Sequence, residues 1–354
     1  EQNILAKRGD DLRIDWGYFY FAAPDDNRLK VGTGDGALLR QSFLADGTLK
    51  EQSTDGMNKL AIACKMGNVK SDTGYLMLAY DDIYSLQYFG TNLRPYWNRK
   101  NDQTIFTQLE KATQEYSTLM KRCTEFDAKL IGEAEQAGGR KYAELCALAY
   151  RQVMAAHKLV ESPDGELLFM SKENFSNGCI NTVDLTYPSS PLFLVYNPNL
   201  LKGMMNGIFQ YSESGKWPKP FAAHDLGTYP LANGQVYGGD MPIEETGNMM
   251  ILSAAIAVIE GNPDYAAKHW DVLTTWANYL AENGLDPENQ LWTDDFAGHF
   301  AHNTNLSIKA IMGVASYAYL ADKQGMKDIS NKYMEKAKEM AGEWLKMADD
   351  GDHY

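Results

Sequence analysis

Neither cysteine chemistry nor a long apolar run is available to organise this chain. Its 354 residues hold four cysteines, Cys64, Cys123, Cys146 and Cys179. They form no CxxC pair and no ligand-type spacing, which excludes a cysteine-based zinc module. Cys123 and Cys146 fall on apolar faces of helical patterns and read as buried free thiols. Every apolar stretch is too short or too interrupted to span a bilayer. Positive charge is sparse, with 33 Lys and Arg against 47 Asp and Glu and a net charge of −14. No Lys/Arg cluster is dense enough to track phosphates, so nucleic acid and anionic membranes are not expected partners. GxSxG, SxxK, Walker A, GxGxxG and EF-hand patterns are all absent. His299 and His302 stand three apart without an HExxH motif or a third ligand, so neither a metal nor a cofactor is expected. The chain opens at Glu1 with no Met and no signal peptide, and reads as a mature form or a fragment.

What the chain does have is apolar and aromatic content, 44% and 12% respectively, ample for the cores of two or three domains. Residues 1–90 read as β-rich. The alternating run Leu12–Tyr20 and the short candidates Ala37–Phe43, Leu60–Lys65 and Tyr75–Tyr80 are separated by Gly-rich turns. From about residue 101 the pattern turns helical. Helices are predicted at about 102–137, 140–160, 198–212, 243–260, 264–283, 304–323 and 326–348, with a short hairpin at Glu166–Lys172. The stretches 247–259 and 305–321 are nearly apolar all round and read as buried. Those at 104–137, 264–283 and 326–348 carry a charged face and read as outer. Alternating inner and outer helices imply a mainly α fold, an α/α toroid of helical hairpins behind a small β-rich segment. Seven helices are too few for a complete six-hairpin barrel.

Four acidic, Gly/Pro-punctuated segments carry the candidate chemistry: LAYDDIYSLQYFG, FSNGCINTVDLTYPSSP, HDLGTYPLANGQVYGGDMPIEETGN and LWTDDFAGHFAHNTN. All four read as irregular loops, and three of them stand immediately before an amphipathic or fully apolar helix. Side-by-side helices would gather their acids and aromatics on one face, at positive helix ends, as a pocket for a polar ligand requires. The richest segment holds Asp225, Tyr229, Asp240, Glu244 and Glu245. Glu244 and Glu245 sit in the first turn of the most buried helix, where dipole complementarity alone also favours Glu. Asp294 and Asp295 precede His302 and Asn303. Asp81 and Asp82, and then Asn174, Asn177 and Asp184, supply further polar groups, although turn and cap roles account for many such residues. With nucleophile motifs absent, a carboxylate pair acting as general acid and base on water is the chemistry left, on either a glycosidic bond or an amide.

These motifs resemble the secreted glutaminase A family of bacteria and fungi. The matching pieces are DDLRIDWGYFYFAAP, YDDIYSLQYFG, NTVDLTYPSSPLFLVYNP, HDLGTYP, MPIEETGNMMIL and TDDFAGHFAHNTNLSIKAI, running from Asp10 to about Ala310. The resemblance implies an N-terminal β-sandwich followed by an (α/α)6 toroid of the six-hairpin glycosidase type, with members longer at both ends. It therefore implies a β-rich segment over residues 1–90, a toroid over 91–354, and a secreted or periplasmic setting. The implied activity is hydrolysis of L-glutamine to glutamate and ammonia, without an implied catalytic assignment.

Two readings follow. In the first, an amidohydrolase, Asp225 with Glu244 or Glu245 are the acid/base candidates and Asp294 or Asp295 orients a glutamine substrate. Arg94, Lys172 or Lys309 would then take its α-carboxylate. In the second, a glycoside hydrolase uses the same carboxylates, with Trp217, Trp292, Tyr229 and Tyr237 as stacking platforms for sugar rings.

Overall fold

The computed structural model describes residues 3–9, 16–24, 29–51, 59–64, 74–174, 176–293 and 297–354. The chain divides into two compact units. One holds Glu1–Trp16, Ile83–Asn101 and Lys129–Tyr354, and the other Gly17–Asp82 and Asp102–Ala128.

The smaller unit contains β1 (Tyr18–Ala22), β2 (Leu29–Gly34), α1 (Gly36–Asp46), β3 (Lys59–Cys64), β4 (Met77–Asp81) and the first part of α2 (Ile105–Gly138). β1 pairs antiparallel with β4, Tyr18 facing Asp81, and β2 pairs antiparallel with β3, Leu29 facing Cys64. The Ala37–Phe43 segment, read above as a strand, is the body of α1. Asp35 caps it by accepting from the N–H groups of Ala37 and Leu38, and Gly47 closes it in the left-handed conformation at φ 71°. Leu39 and Ser42, three apart, are its buried positions, so the helical spacing prevailed over the local strand preference. On α2, Tyr116 stacks on Tyr75 at 3.8 Å. The thiol expectations change with the helices: Cys123 is exposed and Cys146 half-buried, while Cys179 is buried.

In the larger unit, β5 (Leu86–Tyr88) and β6 (Thr91–Leu93) precede the rest of α2 and α3 (Arg140–Ala155). α3 ends earlier than its apolar pattern suggests, because Lys158-Leu159-Val160 joins β7 (His157–Glu161), which pairs antiparallel with β8 (Leu167–Ser171). Next come α4 (Val183–Tyr196) and α5 (Pro198–Glu213), followed by β9 (Gly227–Thr228), β10 (Leu231–Ala232) and α6 (Pro242–Glu260). Strands β6, β5, β10 and β9 form one sheet in that order. The stretch expected as one helix over 264–283 breaks at His269 into α7 (Asp264–Lys268) and α8 (Trp270–Asn283). α9 (Thr304–Lys323) and α10 (Lys327–Met347) follow. α9 packs on α6, α8 and α10, and α6 packs on α4. α6 is buried from Ile243 through Ala257 on nearly every side, as its small and apolar residues imply. The same core holds Trp276, Leu280, Leu306, Ala310 and Val314 from α8 and α9.

α4 is the main departure from the sequence reading, which took FSNGCINTVDLTYPSSP for an irregular loop. Pro188 and Pro191 both lie inside the helix. A proline removes the N–H that would serve the carbonyl four residues back. The carbonyl of Tyr187 loses its donor to Pro191 and instead accepts from the Ser190 hydroxyl at 2.7 Å. Ser189 likewise donates to the carbonyls of Leu185 and Thr186. Ser190 thus compensates within the helix for what Pro191 takes away.

One buried histidine makes a pH prediction. His157 stacks on Phe169 at 4.4 Å, and its Nδ1–H donates to the Val153 carbonyl. Burial lowers its pKa from 6.5 to about 4. The unfolded chain therefore binds a proton here between pH 6.5 and 4 that the fold refuses, so stability is lost as pH falls through that window. The loss is on the order of 3 kcal/mol. Urea unfolding of His157→Phe should show a flatter stability profile between pH 7 and pH 4 than the parent.

Candidate active site

Three segments of the larger unit meet at one buried cluster of carboxylates, and the backbone shows why. The 178–183 stretch runs beside 224–229. Ile180 N–H donates to Gly227 O, Leu226 N–H to Ile180 O, Tyr229 N–H to Gly178 O and Val183 N–H to His224 O. The last of these bonds ties the start of α4 to His224, and so brings Asp184, in the first turn of α4, to the imidazole. The third contributor is α6, which starts with Pro242 in its first turn and carries Glu244 and Glu245 there. Both carboxyl groups are fully buried.

Each acid has a different environment. Asp225, a sequence candidate for acid/base work, is saturated. Its Oδ1 accepts from Gly227 N–H at 2.7 Å and Val236 N–H at 3.0 Å, and its Oδ2 from Tyr237 N–H at 3.1 Å. Oδ2 also meets His224 Nδ1 at 3.0 Å. A carboxylate so supplied with donors organises the 225–237 loop and orients the His224 ring, which stacks on Tyr237 at 4.1 Å. Both of its oxygens are engaged by donors of the protein itself.

Glu244 is held from one side. Its Oε1 accepts from the Lys309 ammonium at 2.5 Å, from the Thr293 hydroxyl, and from Asn248 Nδ2 at 3.3 Å. Its Oε2 is buried with no hydrogen-bond partner among the described residues. Lys309 can lie this close because residue 247 is glycine: a Cβ there would come within 2.5 Å of Lys309 Cγ. Lys309 also caps the Tyr187 ring face at 4.7 Å. Among the described residues, Glu245 has only Asn248 Nδ2 at 3.3 Å on Oε2, and its buried Oε1 has no hydrogen-bond partner. Burial first, then the charges of Asp184 and Glu244, push its carboxyl well above the usual carboxylate range. Asp184 is pushed up to about 6, chiefly by burial, with His224 acting in the opposite sense. Its Oδ1 lies 3.7 Å from His224 Nε2, beyond hydrogen-bonding reach. Asn248 Oδ1 and both side-chain polar atoms of Asn181 are likewise buried with no hydrogen-bond partner among the described residues. Buried polar atoms are ordinarily satisfied, and these orphaned groups single out the cluster as the candidate site.

The other expected site residues have local duties or lie elsewhere. Asp294 and Asp295 lie outside the described residues. Asp81 and Asp82 belong to the smaller unit. Arg94 lies over the Tyr84 ring at 4.9 Å, and Asn177 closes a turn by accepting from Cys179 N–H. Asn174 is exposed and donates to the Lys172 carbonyl. Asp240 binds Lys219 and Gln235. His302 pairs at the surface with Asp286, and Asn303 caps α9 by accepting from Leu306 N–H. Tyr229 is buried, while Trp292 packs partly against the core beside Phe300. Lys309, considered for a substrate carboxylate, pairs with Glu244. His224, Asn248 and Thr293 were missed. For His224 the signal was present in its place beside Asp225 in HDLGTYP. For Asn248 the signal was its spacing, four after Glu244 and three after Glu245, which puts it on their helix face.

The fold is mainly α, of the six-hairpin toroid class, with a small strand-rich N-terminal region. Residues 139–354 match the glutaminase A six helical-hairpin domain, and residues 1–133 match a domain of unknown function (DUF5127). The chain belongs to the glutaminase A family. It is 35% identical over 349 residues to glutaminase A of Aspergillus oryzae, covering 94% of this chain and 50% of that protein. It is 26% identical over 423 residues to a probable glutaminase of Arthroderma benhamiae, covering 92% of this chain and 47% of that protein. The chain thus spans about half the length of these relatives. Among the described residues, no helix is long and apolar enough to cross a membrane.

Proposed function

We propose that this protein hydrolyses the side-chain amide of L-glutamine to glutamate and ammonia at the buried carboxylate cluster. The observation that carries the reading is Glu244. It is a fully buried carboxylate with one oxygen fixed by Lys309 and Thr293 and the other left with no partner among the described residues. A carboxylate oxygen with no donor of its own is placed to take a proton from water. Glu244 would remove that proton as the water oxygen bonds to the amide carbon. It would then deliver it to the nitrogen as the C–N bond breaks and ammonia leaves. Asp184, Glu245 and His224 border the same space. The matching relatives bear glutaminase names, which supports glutamine as the amide, and the secreted setting is proposed on the same family ground.

The glycosidase reading loses part of its basis, because Trp217 and Tyr229, two of its four stacking platforms, are buried in the core. A ring face covered by protein cannot receive a sugar. A substrate panel tests the choice. Ammonia release is expected from L-glutamine, with no release of aryl alcohol from aryl glycosides. Turnover of a glycoside with none of glutamine would reverse the assignment.

A further inference from the structure

We propose that Asp184, His224 and Glu245 form a binding site for one divalent transition-metal ion, of the kind served by mixed nitrogen and oxygen ligands such as zinc or manganese. One ligand atom from each of the three lies within 4.8 Å of the other two.

The first support is the tautomer of His224. Asp225 is surrounded by donors, three of them backbone N–H groups, so its carboxylate is an acceptor throughout. The His224 Nδ1 contact to it therefore uses an Nδ1–H, and in the neutral ring Nε2 carries a lone pair. Nε2 faces the Asp184 carboxylate at 3.7 Å, too far for a direct hydrogen bond and open to a cation held between the two.

The second support is the set of orphaned acceptors. Asp184 Oδ1 and Glu245 Oε1 are buried and have no hydrogen-bond partner among the described residues. Glu244 Oε2 and Asn248 Oδ1, on the same turns of α6, share this condition. The nearby cation, Lys309, is committed to Glu244 Oε1 and the Tyr187 ring. A single proton could satisfy one of these oxygens, whereas a metal ion draws in several at once.

The third support is the chemistry of the ligand set. One imidazole nitrogen and two carboxylates suit zinc, manganese or iron(II), whereas calcium and magnesium prefer oxygen alone. A metal-binding histidine characteristically donates its other ring N–H to a carboxylate, which fixes its orientation and strengthens its lone pair. Asp225 does this for His224, and is itself held in place by the backbone of its loop. Drawing the three ligand atoms onto metal–ligand distances of about 2.0–2.2 Å requires side-chain shifts of roughly an ångström. The second three-residue grouping, Cys179 with His224 and Asp225, is unsuited because Asp225 has no oxygen to spare.

This inference stands on geometry and does not rest on the amide reading. If both hold, the ion would polarise the amide carbonyl or acidify a bound water beside Glu244, which remains the group that moves the proton. The experiment uses the protein after chelator treatment and dialysis, titrated separately with zinc and manganese chloride. The expected result is about one ion per chain by elemental analysis, with a rise of several degrees in the melting temperature. Asp184→Asn and Glu245→Gln, which preserve shape, are expected to bind at least 10-fold more weakly while melting as cooperatively as the parent without metal. Cobalt(II) loading adds a readout independent of the variants' folding, a visible absorption band from nitrogen and oxygen ligation. Absence of stoichiometric binding by the parent would overturn the proposal, as would variants that bind as tightly as the parent. Because metal content is read without substrate, failure here is distinguishable from failure to release ammonia.

Discussion

Glu244→Gln is expected to lower kcat/KM for ammonia release from L-glutamine by about 10³-fold, the scale of losing a positioned general base. The amide keeps the shape of the carboxyl group, so the contacts with Thr293 and Asn248 can persist and the helix should remain in place. What disappears is the capacity of Oε2 to take and return a proton. The melting temperature should move by no more than a few degrees, because the change removes a buried charge together with its attraction to Lys309, two effects of opposite sign. An activity loss accompanied by a collapse in stability would assign Glu244 a structural part instead. Circular dichroism melts beside the kinetics separate the two outcomes.

Asp225→Asn is expected to act the other way round, through the fold. The wild-type carboxylate accepts from three backbone N–H groups and from His224. An amide in its place turns an NH2 group toward at least one of those donors, leaving buried N–H groups unsatisfied. Each such loss costs on the order of 1–3 kcal/mol, so a total near 3–5 kcal/mol is expected. For a unit of this size that corresponds to a melting temperature lower by about 10 °C. The 225–237 loop and the His224 ring would lose their anchor together. If Asp225→Asn melts with the parent yet has lost its activity, Asp225 takes part in the chemistry and the positioning role assigned to it is wrong.

The two aspartates and two glutamates that matter here were all visible in the sequence, but their roles were not. Glu244 and Glu245 stood out because acids in the first turn of an apolar helix need partners, and those partners turned out to be Asn248, Lys309 and Thr293. Which oxygen each partner takes depends on a close approach at Gly247 that no spacing rule reveals. Asp225 looked catalytic because it is an acid in a glycine-rich loop. The same glycines and loop backbone supply the N–H groups that occupy it. The helical elements were read from their apolar period wherever that period was uninterrupted. α4 escaped because Pro188 and Pro191 signal a break, and the serine hydroxyls that offset the second are recognisable only once the helix exists. α1 escaped because its apolar residues suit a strand as well as a helix, and the Asp35 cap decides between them.

The most direct measurement is ammonia and glutamate release from L-glutamine by the purified, folded protein, alongside Glu244→Gln. Saturable, equimolar formation of both products by the parent is expected, with loss of at least two orders of magnitude in the variant. Equal rates from the two proteins, or no ammonia from a well-folded parent, would contradict it.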